Sequence, residues 1–388
     1  MTEPSLFLGE PADESDWRAL VEKGLKGAPW ERLIGSTADG VPIAPLYREP
    51  DCPTAADVSG FPGAAPFIRG VAIGRAAPPW LIRQIYDHAD PDRANQDILA
   101  DLQGGVSSIE LKLDPSGAAG IAVQSSADLD RVLVGVIPEA APIAFDAGAH
   151  GLSAAKLLAA KLKGVAAAGT AFNIDPIGAM MRTGCMAAGD VADAARFAVS
   201  ARAAMPAASA LRVDARPVHE AGGSEAQELA AALACGIYYV RELRKAGLSA
   251  EDAARTLLFT FALGTDILIE TAKLRALRLC WARVMDAFGA PPEARGARTH
   301  AVTSRRMLTR HDAHTNIVRI TTAAFAAAIG GADVITTAPF TDAIELATPF
   351  ARRIARNTQN ILLEECQIGR VADPAGGAWF VEKLTRDL

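Results

Sequence analysis

The sequence is poor in aromatic residues, 6% of the chain, and has no basic run long enough to track a phosphate backbone. With a formal net charge of −6, stacking platforms and positive counter-charge are both missing, so nucleic acid is not expected as a partner. No stretch approaches the roughly 18 uninterrupted apolar residues of a membrane helix, although half of the residues are apolar and the mean hydropathy is +0.16. The N-terminus, Met1-Thr2-Glu3-Pro4-Ser5-Leu6, lacks the basic and apolar regions of a signal peptide. A cytoplasmic protein without membrane contact is expected. The five cysteines, Cys52, Cys185, Cys235, Cys280 and Cys366, never form a C-x-x-C pair. Their spacing argues against a disulfide framework and a zinc site, and for reduced thiols packed as small apolar groups. No internal repeat, low-complexity tract or phosphate-binding glycine motif is present.

What is present suits alternating strands and helices. A chain of 388 residues accommodates one α/β barrel of about 250 residues with extensions, or two ordinary domains. Residues 1–60 read as an arm: a short helix begins at Asp16-Trp17-Arg18, and Gly40, Pro42, Pro45, Pro50 and Pro53 then hold the chain extended. Trp17, Trp30 and Leu33 are its candidate anchors, on the barrel or on a partner subunit. Eight strand candidates follow: Val106–Leu113, Gly120–Val123, Pro142–Ala147, Gly169–Ile174, Leu211–Arg216, Leu257–Leu263, Thr299–Ser304 and Val334–Ala338. Helix starts are marked by Ser125-x-x-Asp128, Ser224-x-x-Gln227 and Ser249-x-x-Asp252. The long helix from Ser224 carries Leu229, Leu233, Ile237 and Val240 as an apolar stripe, and Gly247 stops it. The expected fold is a (β/α)8 TIM barrel over residues 61–388 with an extended N-terminal arm.

In such a barrel the strand ends converge on one mouth, where chemistry is done. The stretch Leu211-Arg212-Val213-Asp214-Ala215-Arg216-Pro217-Val218-His219-Glu220-Ala221-Gly222 runs from a strand into a polar turn there. Together with Ala272-Lys273-Leu274-Arg275-Ala276-Leu277-Arg278, Pro79-Trp80-Leu81-Ile82-Arg83-Gln84, Arg298-Thr299-His300-Ala301-Val302-Thr303-Ser304 and the terminal Asp373-Pro374-Ala375-Gly376-Gly377-Ala378-Trp379-Phe380, it resembles the adenosylcobalamin-dependent acyl-CoA mutases, above all the methylmalonyl-CoA mutase family. The resemblance runs from the arm to the last residues.

The resemblance implies where catalytic residues should stand, and several are replaced. Family members carry Gly-Tyr-His-Met-Gln-Glu-Ala-Gly where this chain has Arg216 at the Tyr position and Pro217 at the His position. His219 is expected to make a structural hydrogen bond at the turn; pointing into the mouth beside position 217 is the alternative. The family's substrate-packing tyrosine is absent from Ile73-Gly74-Arg75-Ala76-Ala77-Pro78. In Gly169-Thr170-Ala171-Phe172-Asn173-Ile174-Asp175, Phe172 replaces a substrate-binding Gln and is expected to plug the mouth. Arg182 matches the arginine for the substrate carboxylate, or serves a salt bridge. Thr170, Arg298 and Ser304 are further substrate-binding candidates, and His300 is either the remaining functional histidine or a hydrogen-bonded one.

Asp312-x-His314 fails the cobalamin motif Asp-x-His-x-x-Gly because position 317 is Ile. His311 and His314 share a three-residue spacing but no third metal ligand is placed, so no metal site is expected. The resemblance therefore implies a small-subunit barrel of a heterodimeric mutase, itself without an active site and without the cobalamin-binding domain. Adenosylcobalamin would belong to the complex, with none bound by this chain alone. Its partner would be the catalytic large subunit, together with a separate cobalamin-binding domain or a chaperone GTPase. A divergent catalytic barrel working through His219 or His300, and a non-enzymatic scaffold for that GTPase, are the alternatives.

Overall fold

Strands whose side chains alternate between faces can bury an apolar face against helices while turning the other face into a barrel. In the computed structural model, which describes residues 13–51, 60–71, 79–186 and 189–388, this is what the chain does. The strands are β1 (Leu81–Tyr86), β2 (Ser108–Lys112), β3 (Ile143–Asp146), β4 (Ala171–Ile174), β5 (Ser209–Asp214), β6 (Leu257–Leu263), β7 (Thr299–Thr303) and β8 (Val334–Thr336). All neighbours are parallel, and the sheet closes by pairing β8 with β1, Thr336 opposite Arg83. This is the (β/α)8 barrel expected from the sequence.

Membership of the barrel differs from expectation at one strand. Gly120–Val123 is not a strand; it meets β2's continuation only through a single bridge, Leu113 to Ile121. The Asp114 side chain accepts from Ser116 N and Ala119 N, each at 2.9 Å, and folds the chain back so that Ile121 N donates to the Lys112 carbonyl at 2.8 Å. Gly120 lies so close that a Cβ would stand 2.5 Å from that carbonyl oxygen. The missing strand is β1, in which Arg83 and Gln84 interrupt the apolar run yet are buried.

Outward residues such as Ile109, Leu111, Phe145, Val213, Phe259 and Ile335 pack into the helical layer as the main core. Phe172 belongs to this layer: its ring meets Phe197 of the helix Asp190–Ala204 edge to face, 5.1 Å between centroids. It therefore does not plug the mouth, contrary to expectation. Ala171 faces the barrel axis, so strand alternation turns Phe172 to the helices; the strand register shifts between Ala171 and Ile174, with Asn173 at φ +51°.

The helix Ser126–Val132 starts on a reciprocal capping box of Ser125 and Asp128, and Glu225–Lys245 on one of Ser224 and Gln227. The buried face of Glu225–Lys245 runs through Leu229, Ala232, Gly236, Tyr239, Val240 and Leu243, so Leu233 and Ile237 stand at its edges. At Gly236 an added Cβ would meet Trp281 Cζ3 at 2.8 Å, and the missing side chain lets the two helices approach. The helix Ile267–Ala287 buries three cations. Of these, Arg275 pairs with Asp373 and Glu382, tying in the final helix Trp379–Asp387.

The arm up to Arg48 forms a unit of its own, and the barrel unit begins at Glu49. Within the arm, Asp13 caps the helix Glu14–Leu25, and Trp17 meets Trp30 edge to face at 5.7 Å. Among the described residues no helix is long and apolar enough to cross a membrane.

Candidate functional site: the barrel mouth and lumen

A cavity of about 620 Å³ opens at the C-terminal ends of the strands, a size that suits a small organic ligand. Its walls include Lys112, Asp146, Arg182, Arg216, Thr336 and Glu220. β5 ends at Asp214, and Arg216–Glu220 is a short helix with Pro217 in its first turn. The expected extension of this strand to Arg216 is thus cut short, because proline has no N–H for the ladder and suits a helix start. The Arg216 N–H donates to Asp214 Oδ1 at 3.0 Å, and its guanidinium grips the same carboxylate at 2.8 and 2.7 Å.

Asp214 also binds Arg182, which comes from the helix Pro176–Thr183. Asp146 accepts from Arg212 at 3.0 Å and faces Arg216 at 3.5 Å. Burial alone would raise both aspartates, but the Arg212 and Arg216 guanidiniums outweigh it and hold them well below the usual carboxylate range. The arginines at the mouth therefore already hold carboxylates of this chain.

Beneath the mouth the lumen is filled. Arg83, Glu110, Arg212 and His300, from four different strands, are each no more than 1% exposed. Arg83 donates to Ser108 Oγ at 2.9 Å and to the Gly169 carbonyl at 2.8 Å. Burial lowers Arg83 to about 10, against the attraction of Glu110, and raises Glu110 despite Arg83 and Arg212. Below them Ala144, Ala171 and Leu258 close the barrel axis with apolar contact.

Sequence-predicted residues are distributed among four places. Arg182 lines the mouth cavity. His219 and Ser304 meet beside it, Nε2 to Oγ at 2.7 Å, where both are buried. Burial, with help from Lys273 and Arg306, lowers the His219 pKa to about 3, so the ring is neutral. His300 lies in the lumen, its Nε2 2.8 Å from Thr336 Oγ1, and burial followed by Arg83 and Arg216 keeps it neutral too. Thr170 and Arg298 precede β4 and β7 and so lie at the opposite end of the barrel from the cavity; Arg298 donates to the Arg255 carbonyl. The segment Ile73–Pro78 lies outside the described residues.

Two groups were not singled out from the sequence. One is Lys273, which bridges Glu228 and Glu270 at 2.7 Å each and donates to the Ala262 carbonyl at 2.8 Å. Burial opposes its charge, but the two carboxylates win and raise its pKa, while burial lifts Glu228 to about 7. The other is the lumen set Arg83, Glu110 and Arg212; its sequence signal was a charged residue inside an otherwise largely apolar strand.

Among the described residues no three of His, Cys, Asp and Glu gather as a metal site. His314 immediately precedes the helix Thr315–Ile329 and stacks on Phe340, 5.3 Å between centroids, so its ring is engaged in packing. His311 precedes that helix in a bend. These residues do not fit a lower cobalamin ligand.

The family model for methylmalonyl-CoA mutase matches residues 36–388. A methylmalonyl-CoA mutase small subunit of Streptomyces virginiae is 44% identical over 97% of this chain and 62% of its own length. One of Propionibacterium freudenreichii subsp. shermanii is 37% identical over 97% of this chain and 60% of its own. A methylmalonyl-CoA mutase of Escherichia coli (strain K12) is 30% identical over 96% of this chain and 56% of its own. The chain thus spans about three-fifths of the length of these curated relatives. By its match over nearly its whole length, and by its closed parallel barrel, the chain belongs to the methylmalonyl-CoA mutase family.

Proposed function

We propose that this chain is the small-subunit barrel of a heterodimeric, adenosylcobalamin-dependent methylmalonyl-CoA mutase. It supports a catalytic large subunit that interconverts methylmalonyl-CoA and succinyl-CoA, and performs no chemistry itself. The observation that carries this reading is the lumen: Arg83, Glu110, Arg212 and His300 lie buried in the barrel interior, where an extended thioester would have to lie. Pro217, at the position where the resemblance expects the carbonyl-polarising histidine, opens a helix and offers no proton. The residues 1–60 serve as the arm that contacts the partner subunit, and residues 61–388 as the barrel domain.

A second reading, a divergent catalytic barrel completed by a separate cobalamin protein, draws on the 620 Å³ mouth cavity with Arg182 in its wall. Against it, Arg182 is already held by Asp214. The test is turnover. The purified chain with adenosylcobalamin and methylmalonyl-CoA should form no succinyl-CoA, whereas a large subunit that is poorly active alone should gain activity when this chain is added. Turnover by the chain alone would overturn the proposal.

A further inference from the structure

Buried polar atoms in folded proteins are nearly all hydrogen-bonded, so a cluster of unpartnered ones asks for an explanation. Among the described residues the buried side-chain atoms without a partner include Arg83 Nη1, both Glu110 oxygens, Arg212 Nε and Nη1, Thr260 Oγ1 and His300 Nδ1. These come from β1, β2, β5, β6 and β7, and each residue is at most 1% exposed. The contacts between them are too long for direct hydrogen bonds: Glu110 Oε1 to Arg212 Nη1 is 3.5 Å, and Glu110 Oε2 to His300 Nε2 is 3.9 Å. A water lying beside such a pair can bond both groups that do not bond each other directly.

We propose that the barrel lumen is a binding site for a small cluster of ordered internal waters centred on Glu110, linking it to Arg83, Arg212, Thr260 and His300. The unmet groups decide the class of ligand. Both oxygens of Glu110 need donors, whereas Arg83 Nη1, Arg212 Nε and Arg212 Nη1 need acceptors. A halide would serve the guanidiniums but stand against the Glu110 carboxylate. A metal cation would serve that carboxylate but stand against two guanidiniums. Water alone donates to one side and accepts from the other, and buried waters typically make about three such bonds. Thr336 lines the mouth cavity and also bonds His300, which gives the lumen waters a polar route to solvent. The plug in the barrel axis is thus a hydrated ion-pair cluster.

The test is a crystal structure of the full chain at a resolution that shows ordered water, with a second crystal soaked in bromide. Water density within hydrogen-bond distance of a Glu110 oxygen and of Arg83 Nη1, without an anomalous bromide peak there, is the expected result. Direct Glu110–Arg83 or Glu110–Arg212 hydrogen bonds with no water between them would overturn the proposal. So would a bromide peak between the guanidiniums. In solution, oxygen-17 relaxation dispersion should count long-lived waters in the wild type and fewer in Glu110→Leu. If that variant does not fold, the wild-type crystal still decides.

Discussion

His219 and Glu228 lie side by side, Nδ1 to Oε2 at 3.7 Å, and their pKa values are displaced in opposite senses. Burial holds His219 at about 3 against an ordinary 6.5, so acidification puts a proton on the unfolded chain before the folded one. Its contribution to stability is therefore complete above pH 6.5 and is lost as pH falls toward 3. Between pH 7 and 5 the loss amounts to about 2 kcal/mol, from the logarithm of the unfolded state's proton binding. Glu228 acts the other way. Burial raises it from 4.5 to about 7, so its contribution is complete below pH 4.5 and disappears as pH rises through 7. Over the same interval acidification returns about 2 kcal/mol, and the two nearly offset each other in the wild type. The perturbation that separates them is His219→Gln, which keeps an amide near Ser304 and removes the titration. Urea unfolding of both proteins, followed through the buried Trp80 and Trp281, should be run from pH 7 to pH 5. The variant should gain about 2 kcal/mol relative to the wild type over that interval. A stability difference independent of pH would refute the reasoning, because it would mean that His219 ionises in the fold as readily as in the unfolded chain.

Lys273→Met should destabilise by about 3–5 kcal/mol, since it strands Glu228 and Glu270 in the core, and denaturant unfolding measures it. Gly236→Ala should cost about 1–3 kcal/mol by forcing a methyl against Trp281, read from the same curves and from altered Trp fluorescence. Ser224→Ala should cost about 1 kcal/mol through loss of the capping box on Glu225–Lys245.

How much of this was legible follows the range over which each signal acts. The capping boxes at Ser125 and Ser224 are local, four-residue patterns, and they were read correctly. β6 was read to its exact ends because Leu257–Leu263 is a nearly unbroken apolar run. β1 was missed because Arg83 and Gln84 look like surface residues, and only the closed barrel supplies Ser108 and Gly169 to meet Arg83. Gly120–Val123 looked like a strand because it is a short apolar run with Ile and Val, but the Asp114 turn that bends it lies outside that window. The lumen cluster joins Arg83 to His300 across most of the chain, and no spacing rule reaches that far. Phe172 was placed at the mouth because it stands where the resemblance expects a substrate-binding Gln, but Ala171 faces the barrel axis and alternation turns Phe172 to the helices.

In the proposed function the barrel is closed to substrate. A calorimetric titration of a CoA thioester into the isolated chain, with Arg182→Ala alongside, tests it most directly. No saturable heat is expected from either protein while both remain folded. Saturable binding by the wild type that weakens in Arg182→Ala would show an open substrate site at the mouth and contradict it.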